Sequence, residues 1–291
     1  MRALILFLLL FPAIAGAQEK PRVVATFSIL GDLVRNVGGD KVDVTVLVGA
    51  DGDAHTFEPS PKESIALAQA QVVFENGFHF EHWLDKLYQS SGSKASRVVV
   101  TEGIEPIEIQ GNSGDVDPHA WHDVSNVMLM VERVRDGLIA ADEANAAYYR
   151  ESAEKYLVQL ARLDHWVIDT LKDIPDEKRH LVTSHDTLGY FARRYGFKVI
   201  GAAIGSATTE AADPSAAQIA HLVDMIKAAG VKVVFIENMH NPKLMGSIAA
   251  EAGIKLAPKL YTDALGPAGS DGDTYVKMMR HNVNIFAEAL K

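Results

Sequence analysis

The sequence predicts an α/β protein of two βα lobes, each with a mostly parallel four-stranded sheet, joined by one long rigid helix. Short β-rich runs alternate with helical segments in both halves of the chain, which is typical of a parallel sheet covered by helices. Between the halves, one helical stretch spans residues 143–172 and would be roughly 45 Å long at about 1.5 Å per residue. Two shorter helices with a bend are the alternative interpretation of that stretch.

The first half supplies four strands and four helices. A Gly-Gly pair at 38–39 ends the first helix, because glycine readily adopts the conformation that follows a helix. The predicted strands are 22–27, 42–48, 72–76 and 97–101. The predicted helices are 29–37, 61–70, 81–89 and 123–140.

The second half repeats this alternation after Pro175 ends the long helix. The predicted strands are 181–184, 198–201, 232–236 and 254–260. The predicted helices are 187–195, 215–229, 242–252 and 273–289. The predicted domains are an N-terminal lobe at 18–142, a linking helix at 143–174 and a C-terminal lobe at 175–291.

The N-terminus resembles a secretory signal. Arg2 precedes an apolar run at 3–11, and Ala15-Gly16-Ala17 fits the small-residue cleavage rule, so we expect cleavage after Ala17. The run is too short to cross a bilayer, and no cysteine follows it for lipid attachment. These features predict a free periplasmic protein that is not a lipoprotein.

The composition limits which partners the protein could bind and which side chains could ligate a metal. The net charge of −10 argues against nucleic acid or anionic membrane as partners and is compatible with a cationic ligand. The chain has no cysteine, so a metal site would have to use histidine, carboxylate or main-chain oxygen. Thiolate zinc sites and blue-copper sites are excluded.

Four side chains lie where a site could form. His55 follows the second predicted strand, His119 follows the fourth, His185 directly follows the first strand of the second half, and Asp263 follows the last strand. Ligands collect at the carboxyl ends of strands in open α/β sheets, so these residues could converge across a cleft. Three unrelated loop histidines and a turn aspartate are equally compatible with the spacing.

Several motifs in order resemble the solute-binding proteins of zinc and manganese ABC importers, the TroA- and ZnuA-like group (cluster A-I). They are VVATFSILGDLVRNVGGD at 23–40, DAHTFEPSP at 53–61, DPHAWHD at 117–123, LVTSHDTLGYFARRYGF at 181–197, VVFIENMHNPK at 233–243 and YTDALGPAGSDGDTYVKMMRHN at 261–282. The resemblance covers essentially all of the chain after the signal. It implies a metal ion held between the lobes by His55, His119, His185 and Asp263.

The ligand set that the resemblance implies favours zinc over manganese. Manganese-type relatives often carry glutamate where this chain has His185, and three imidazoles with one carboxylate suit Zn²⁺ better than Mn²⁺. The resemblance also implies delivery to a membrane ABC permease by a protein that is not an enzyme. We expect the protein to be a monomer.

This chain lacks the long His- and Asp-rich loop of many zinc-binding relatives. That departure resembles an AztC-like subgroup, which is supplied by a separate periplasmic zinc metallochaperone. His79, His82 and His122 could be accessory capture histidines near the mouth, or simply exposed side chains.

Two other classes of function are compatible with a zinc site. One is a secreted zinc-dependent adhesin or scavenger. The other is a zinc hydrolase with Glu58 as general base, although the chain has no HExxH motif and four protein ligands would leave no position for an activated water.

Overall fold

The N-terminal lobe is built on a four-stranded parallel sheet in the order β2-β1-β3-β4. A computed structural model of the protein describes residues 19–109, 116–204 and 214–291. The strands are β1 Arg22–Phe27, β2 Asp43–Val48, β3 Val72–Glu75 and β4 Ser96–Val99. The two inner strands are almost wholly buried, as expected for a sheet covered on both faces.

Four helices belong to this lobe, and two of them begin at sequence-encoded caps. Ser60 and Glu63 form a reciprocal capping box, and the Asp123 side chain accepts a hydrogen bond from Ser125 N. The helices are α1 Ser28–Gly38, α2 Pro61–Gln69, α3 Leu84–Ser91 and α4 Val124–Ala141.

One long helix, α5 Ala146–Leu171, follows a short 3₁₀ turn at Glu143–Asn145. Its buried residues recur every three or four positions, which gives the apolar stripe of a helix that packs on one side. They are Tyr149, Ala153, Tyr156, Leu160, Leu163, Asp164, Val167 and Leu171. The helix packs against α1 and α4 of the first lobe and against the C-terminal helix α9 Tyr275–Ala289. It therefore braces both lobes.

The C-terminal lobe repeats the alternation of strands and helices. Its strands are β5 His180–His185, β6 Lys198–Ile204, β7 Val233–Val234 and β8 Lys255–Leu256. Its remaining helices are α6 Gly189–Tyr195, α7 Ala216–Ala228 and α8 Lys243–Ala252. The prediction of two α/β lobes with parallel sheets and a long helix is confirmed.

The second sheet differs from the predicted continuous four-stranded sheet. It divides into two parallel pairs of strands, β5-β6 and β7-β8. In the described residues, one backbone hydrogen bond, from Phe235 N to Val182 O, joins the two pairs. The last strand was predicted over seven residues but contains Pro258, which has no N–H to donate to a neighbouring strand. An isolated bridge between Glu237 and Leu260 continues the pairing beyond it.

The predicted signal peptide at 1–17 lies outside the described residues, as do residues 110–115 between the strand predicted at 97–101 and the helix predicted at 123–140. None of the helices in the described ranges combines the length and apolarity that a membrane crossing requires.

Candidate metal centre

The structure brings His55, His119, His185 and Asp263 together at one buried point between the lobes. One ligand atom from each lies within 4.8 Å of the others. His119 Nε2 lies 3.2 Å from the Nε2 atoms of both His55 and His185. Asp263 Oδ2 lies 3.1 Å from His55 Nε2, 3.0 Å from His185 Nε2 and 3.5 Å from His119 Nε2. All four side chains are fully buried.

The local fold explains why these side chains meet. His185 is the last residue of β5, His55 lies in the loop after β2, and Asp263 lies in the loop after β8. His119 immediately precedes the 3₁₀ turn Ala120–His122, which leads into α4. These are strand-end and loop positions, as the sequence predicted, and they come from both lobes.

Carboxylates lie against the far nitrogens of two of the imidazoles. Asp117 Oδ1 accepts a hydrogen bond from His119 N and lies 2.7 Å from His119 Nδ1. Glu237 Oε1 accepts from His185 N, and Glu237 Oε2 lies 2.7 Å from His185 Nδ1. A proton on His119 Nδ1, shared with Asp117, leaves its Nε2 lone pair free to face the centre, whereas the contact between Glu237 and His185 Nδ1 is an ion pair without hydrogen-bond geometry. A Cβ on Gly189 would lie 2.5 Å from Asp117 Oδ2, so the missing side chain makes room for this carboxylate.

Hydrogen bonds to the main chain fix the position of His55. Its N–H donates to Asp53 Oδ1, and Trp83 Nε1 donates to the carbonyl of the preceding residue, Ala54. The Nδ1 atom of His55 is buried and has no hydrogen-bond partner in the described part of the chain. The position of this side chain thus depends on its loop, whereas carboxylates flank the other two imidazoles.

Aromatic rings enclose the centre. Phe80 packs edge-on against His55, with ring centroids 4.6 Å apart, and Trp121 packs against His119 at 5.3 Å. Trp121 Nε1 donates to Thr262 O at 2.8 Å, next to Asp263. These rings exclude water and strengthen the electrostatic interactions inside.

The electrostatics of the centre suit a cation. Burial lowers the pKa of His55. Burial also opposes charge on His119, but the Asp263 and Asp117 carboxylates outweigh it and raise the pKa of His119 to about 9. Glu237 and Asp263 likewise hold the pKa of His185 well above its usual range despite burial. Burial would raise the pKa of Asp263, yet His185 and His119 hold it well below its usual range. The raised pKa values of His119 and His185 show that the surrounding carboxylates favour positive charge at the centre, as a bound cation would supply.

The donor set fits a metal ion on physical grounds. The ion pairs that the described residues make with Asp263, Glu237 and Asp117 are all to imidazoles, with no lysine or arginine among them. Buried carboxylates require a compensating positive charge. Three Nε2 atoms and one carboxylate oxygen directed at one point are a donor set that could hold a cation.

The second oxygen of Asp263 has a partner that the sequence did not indicate. Thr187 Oγ1 donates to Asp263 Oδ1 at 3.0 Å and lies 3.3 Å from His122 Nε2. This corrects the expectation that His122 is an accessory histidine near the mouth, because only 1% of its surface is exposed. Burial lowers the pKa of His122 to about 4, so the ring is neutral.

The other candidate histidines lie elsewhere. His79 and His82 are exposed, and neither belongs to a group of possible metal ligands among the described residues. Glu58 is also exposed and outside the centre. His240 is half-buried, and its ring lies 5.4 Å from that of His185. It forms a second possible ligand group only by sharing His185 with the main centre.

The fold and this centre define a two-lobed metal-binding protein, and comparisons with known proteins give its family. The family described as "ZnuA: Zinc-uptake complex component A periplasmic" matches residues 23–289. The manganese-binding lipoprotein MntA of Halalkalibacterium halodurans is 36% identical over 272 residues, which cover 94% of this chain and 89% of that protein. The metal ABC transporter substrate-binding lipoprotein FimA of Streptococcus parasanguinis is 32% identical over 284 residues, covering 95% and 91%.

Solved structures agree with this family. The periplasmic zinc binding protein TroA from Treponema pallidum is similar with a TM-score of 0.88 and 28% identity, covering 94% of this chain and 99% of that one. A manganese-bound mutant of a periplasmic metal binding protein from Candidatus Liberibacter asiaticus has a TM-score of 0.86 and 27% identity, covering 94% and 100%. The chain belongs to the ZnuA family of metal-binding solute-binding proteins of ABC transporters, which are not enzymes.

The relatives correct the predicted location. MntA and FimA are named lipoproteins, which contradicts the expectation that the protein is not a lipoprotein. A periplasmic or surface location facing outward is consistent with the family. The chain has no cysteine, so the evidence for a lipoprotein comes from the named relatives and not from a residue of this sequence.

Proposed function

We propose that this protein captures Zn²⁺ outside the cytoplasm and delivers it to a membrane ABC permease for import. The observation that supports this most is the convergence of three imidazole nitrogens and one carboxylate oxygen from both lobes. We assign His55, His119, His185 and Asp263 as the ligands, with Zn²⁺ as transported cargo.

The separations between the donors suit a small divalent cation such as zinc. Donors about 2.0–2.1 Å from a tetrahedral zinc ion would lie about 3.3 Å from one another. Five of the donor separations here are 3.2, 3.2, 3.1, 3.0 and 3.5 Å. Little rearrangement would be needed to receive the ion.

Manganese is the alternative cargo, because MntA is named manganese-binding and the Liberibacter protein is described with bound manganese. The donor chemistry favours zinc, since Mn²⁺ prefers octahedral sites richer in oxygen. The assignment to a zinc-specific AztC-like subgroup, with a periplasmic metallochaperone as donor, is part of the same proposal.

Release would involve loops rather than a wide opening of the lobes. We propose lobes at 18–142 and 175–291 joined by a rigid linking helix at 143–174, with the protein acting as a monomer. Asp51, near His55, contacts the second lobe: its N–H donates to Leu265 O, and its Oδ1 accepts from Asn238 Nδ2. Docking on the permease would break such contacts and move the loop at 49–61 together with residues 102–109 and 116–118.

Substitution of His185 tests the ligand assignment. His185→Ala should abolish high-affinity zinc binding in competition with a chelator, because it removes one of four donors. His165→Ala is the control, since His165 is exposed on α5 and outside the centre. Retention of wild-type zinc affinity by His185→Ala would contradict the assignment.

A further inference from the structure

The two oxygens of Asp263 have different surroundings. Oδ2 faces the imidazoles of the centre, 3.0 Å from His185 Nε2 and 3.1 Å from His55 Nε2. Oδ1 accepts a hydrogen bond from Thr187 Oγ1 at 3.0 Å. Thr187 is fully buried, so water cannot replace this bond. The protein thus engages one lone pair of Oδ1 and leaves Oδ2 directed at the centre.

The hydroxyl of Thr187 is itself oriented. It has a single proton, which it donates to Asp263, so its oxygen accepts at the 3.3 Å contact with His122 Nε2. His122 must therefore carry its proton on Nε2. A buried chain of hydrogen bonds runs from His122 through Thr187 to Asp263.

We propose that Thr187, positioned by His122, holds Asp263 to coordination through one oxygen and thereby favours zinc over manganese. This proposal rests on the proposed function, because it concerns the choice of ion at the same centre. Thr187 and His122 would be positioning residues that never touch the metal.

The coordination chemistry of carboxylates explains the expected effect. A carboxylate can bind a metal through one oxygen or two. If Asp263 binds through one oxygen, the metal has four protein donors, which is the number that Zn²⁺ favours. Two-oxygen binding would add a fifth donor and approach the oxygen-rich, higher coordination of Mn²⁺. The hydrogen bond from Thr187 occupies one of the two lone-pair sites of Oδ1, draws electron density from that oxygen and fixes the direction of the carboxylate, so it weakens Oδ1 as a second metal donor.

Two substitutions of Thr187 separate the hydrogen bond from the shape of the side chain. Thr187→Val keeps the branched shape and removes the hydroxyl, whereas Thr187→Ser keeps the hydroxyl. Zinc and manganese affinities would be measured by chelator competition. Thr187→Val should lower zinc affinity about tenfold, as typical for loss of a group that orients a ligand, with a smaller loss or a gain for manganese. Thr187→Ser should match the wild type.

Bound Co²⁺ gives a readout of coordination number that a loss of stability would not mimic. Four-coordinate tetrahedral Co²⁺ absorbs visible light much more strongly than higher-coordinate Co²⁺. The wild type and Thr187→Ser should show the strong band, and Thr187→Val should show a weaker one. His122→Leu should shift the cobalt band and the zinc-to-manganese affinity ratio in the same direction as Thr187→Val, but by a smaller amount. If Thr187→Val does not fold, His122→Leu is measured in its place.

An unchanged zinc-to-manganese ratio and an unchanged cobalt band in Thr187→Val would overturn the proposal, as would a weak cobalt band in the wild type. A wild-type protein that prefers manganese would instead refute the proposed zinc function. In that case the cobalt spectra would still decide whether Thr187 limits the coordination of Asp263.

Discussion

Removing the charge of Asp117 should weaken zinc binding, and the loss should depend on pH. Asp117 Oδ1 accepts from His119 N and lies 2.7 Å from His119 Nδ1, and Asp117 is nearly fully buried. Asp117→Asn keeps the size of the side chain but removes its negative charge. Loss of such an orienting carboxylate typically costs about 10–100-fold in metal affinity, or about 1.4–2.7 kcal/mol.

The pH dependence follows from the pKa of His119. Asp263 and Asp117 raise that pKa to about 9 in the metal-free protein, so zinc must displace a proton at neutral pH. Apparent zinc affinity should therefore rise with pH by about tenfold per unit for each displaced proton, up to the pKa. Asp117→Asn lowers the pKa of His119 and removes part of this competition. The deficit of the variant should be largest near pH 9 and shrink as pH falls.

The assay is chelator competition for zinc from pH 6 to pH 9, with proton release measured by calorimetry in buffers of different ionisation enthalpy. Asp136→Asn is the matched control, because Asp136 is an exposed aspartate paired with Arg135 on α4. A deficit in Asp117→Asn that is the same at every pH, or wild-type affinity throughout, would refute the reasoning.

Two further predictions concern closure of the centre and the stability of the fold. Asn238→Ala removes the 2.7 Å hydrogen bond to Asp51 Oδ1 that joins the two lobes. Because hydrogen bonds to charged groups contribute about 1.5–3 kcal/mol, this variant should release zinc about tenfold faster in stopped-flow chelation. An unchanged release rate would show that this contact does not control opening. Tyr149→Phe removes the buried 2.7 Å bond to Asp142 Oδ2 and should lower the free energy of unfolding by about 1.5–3 kcal/mol without changing zinc affinity. Chemical denaturation checks the second prediction, and an unchanged midpoint would contradict it.

Much of this architecture could be predicted from the sequence, because the residues that indicate it lie close together in the chain. His55 and His185 follow β-rich runs, and the carboxyl ends of parallel strands gather on one edge of a sheet. Asp117 is two residues from His119, so a carboxylate near enough to orient that imidazole is visible in the sequence. The buried stripe of α5 is visible in the spacing of its apolar residues.

The missed features depend on distant parts of the chain. His122 lies in a polar-looking motif, but it is buried and contacts Thr187, which is 65 residues away. Thr187 stands two residues after His185, a weak signal that its hydroxyl faces the centre, yet its acceptor is 76 residues further on. By contrast, Pro258 was a local signal that should have shortened the last predicted strand.

Anomalous diffraction from crystals grown with equal concentrations of Zn²⁺ and Mn²⁺ tests the central claim most directly. Data collected on either side of the zinc absorption edge identify the metal and locate it in one experiment. We expect one strong zinc signal, at a position coordinated by the Nε2 atoms of His55, His119 and His185 and by Asp263 Oδ2. A manganese signal at that position, or a zinc ion bound by other residues, would contradict it.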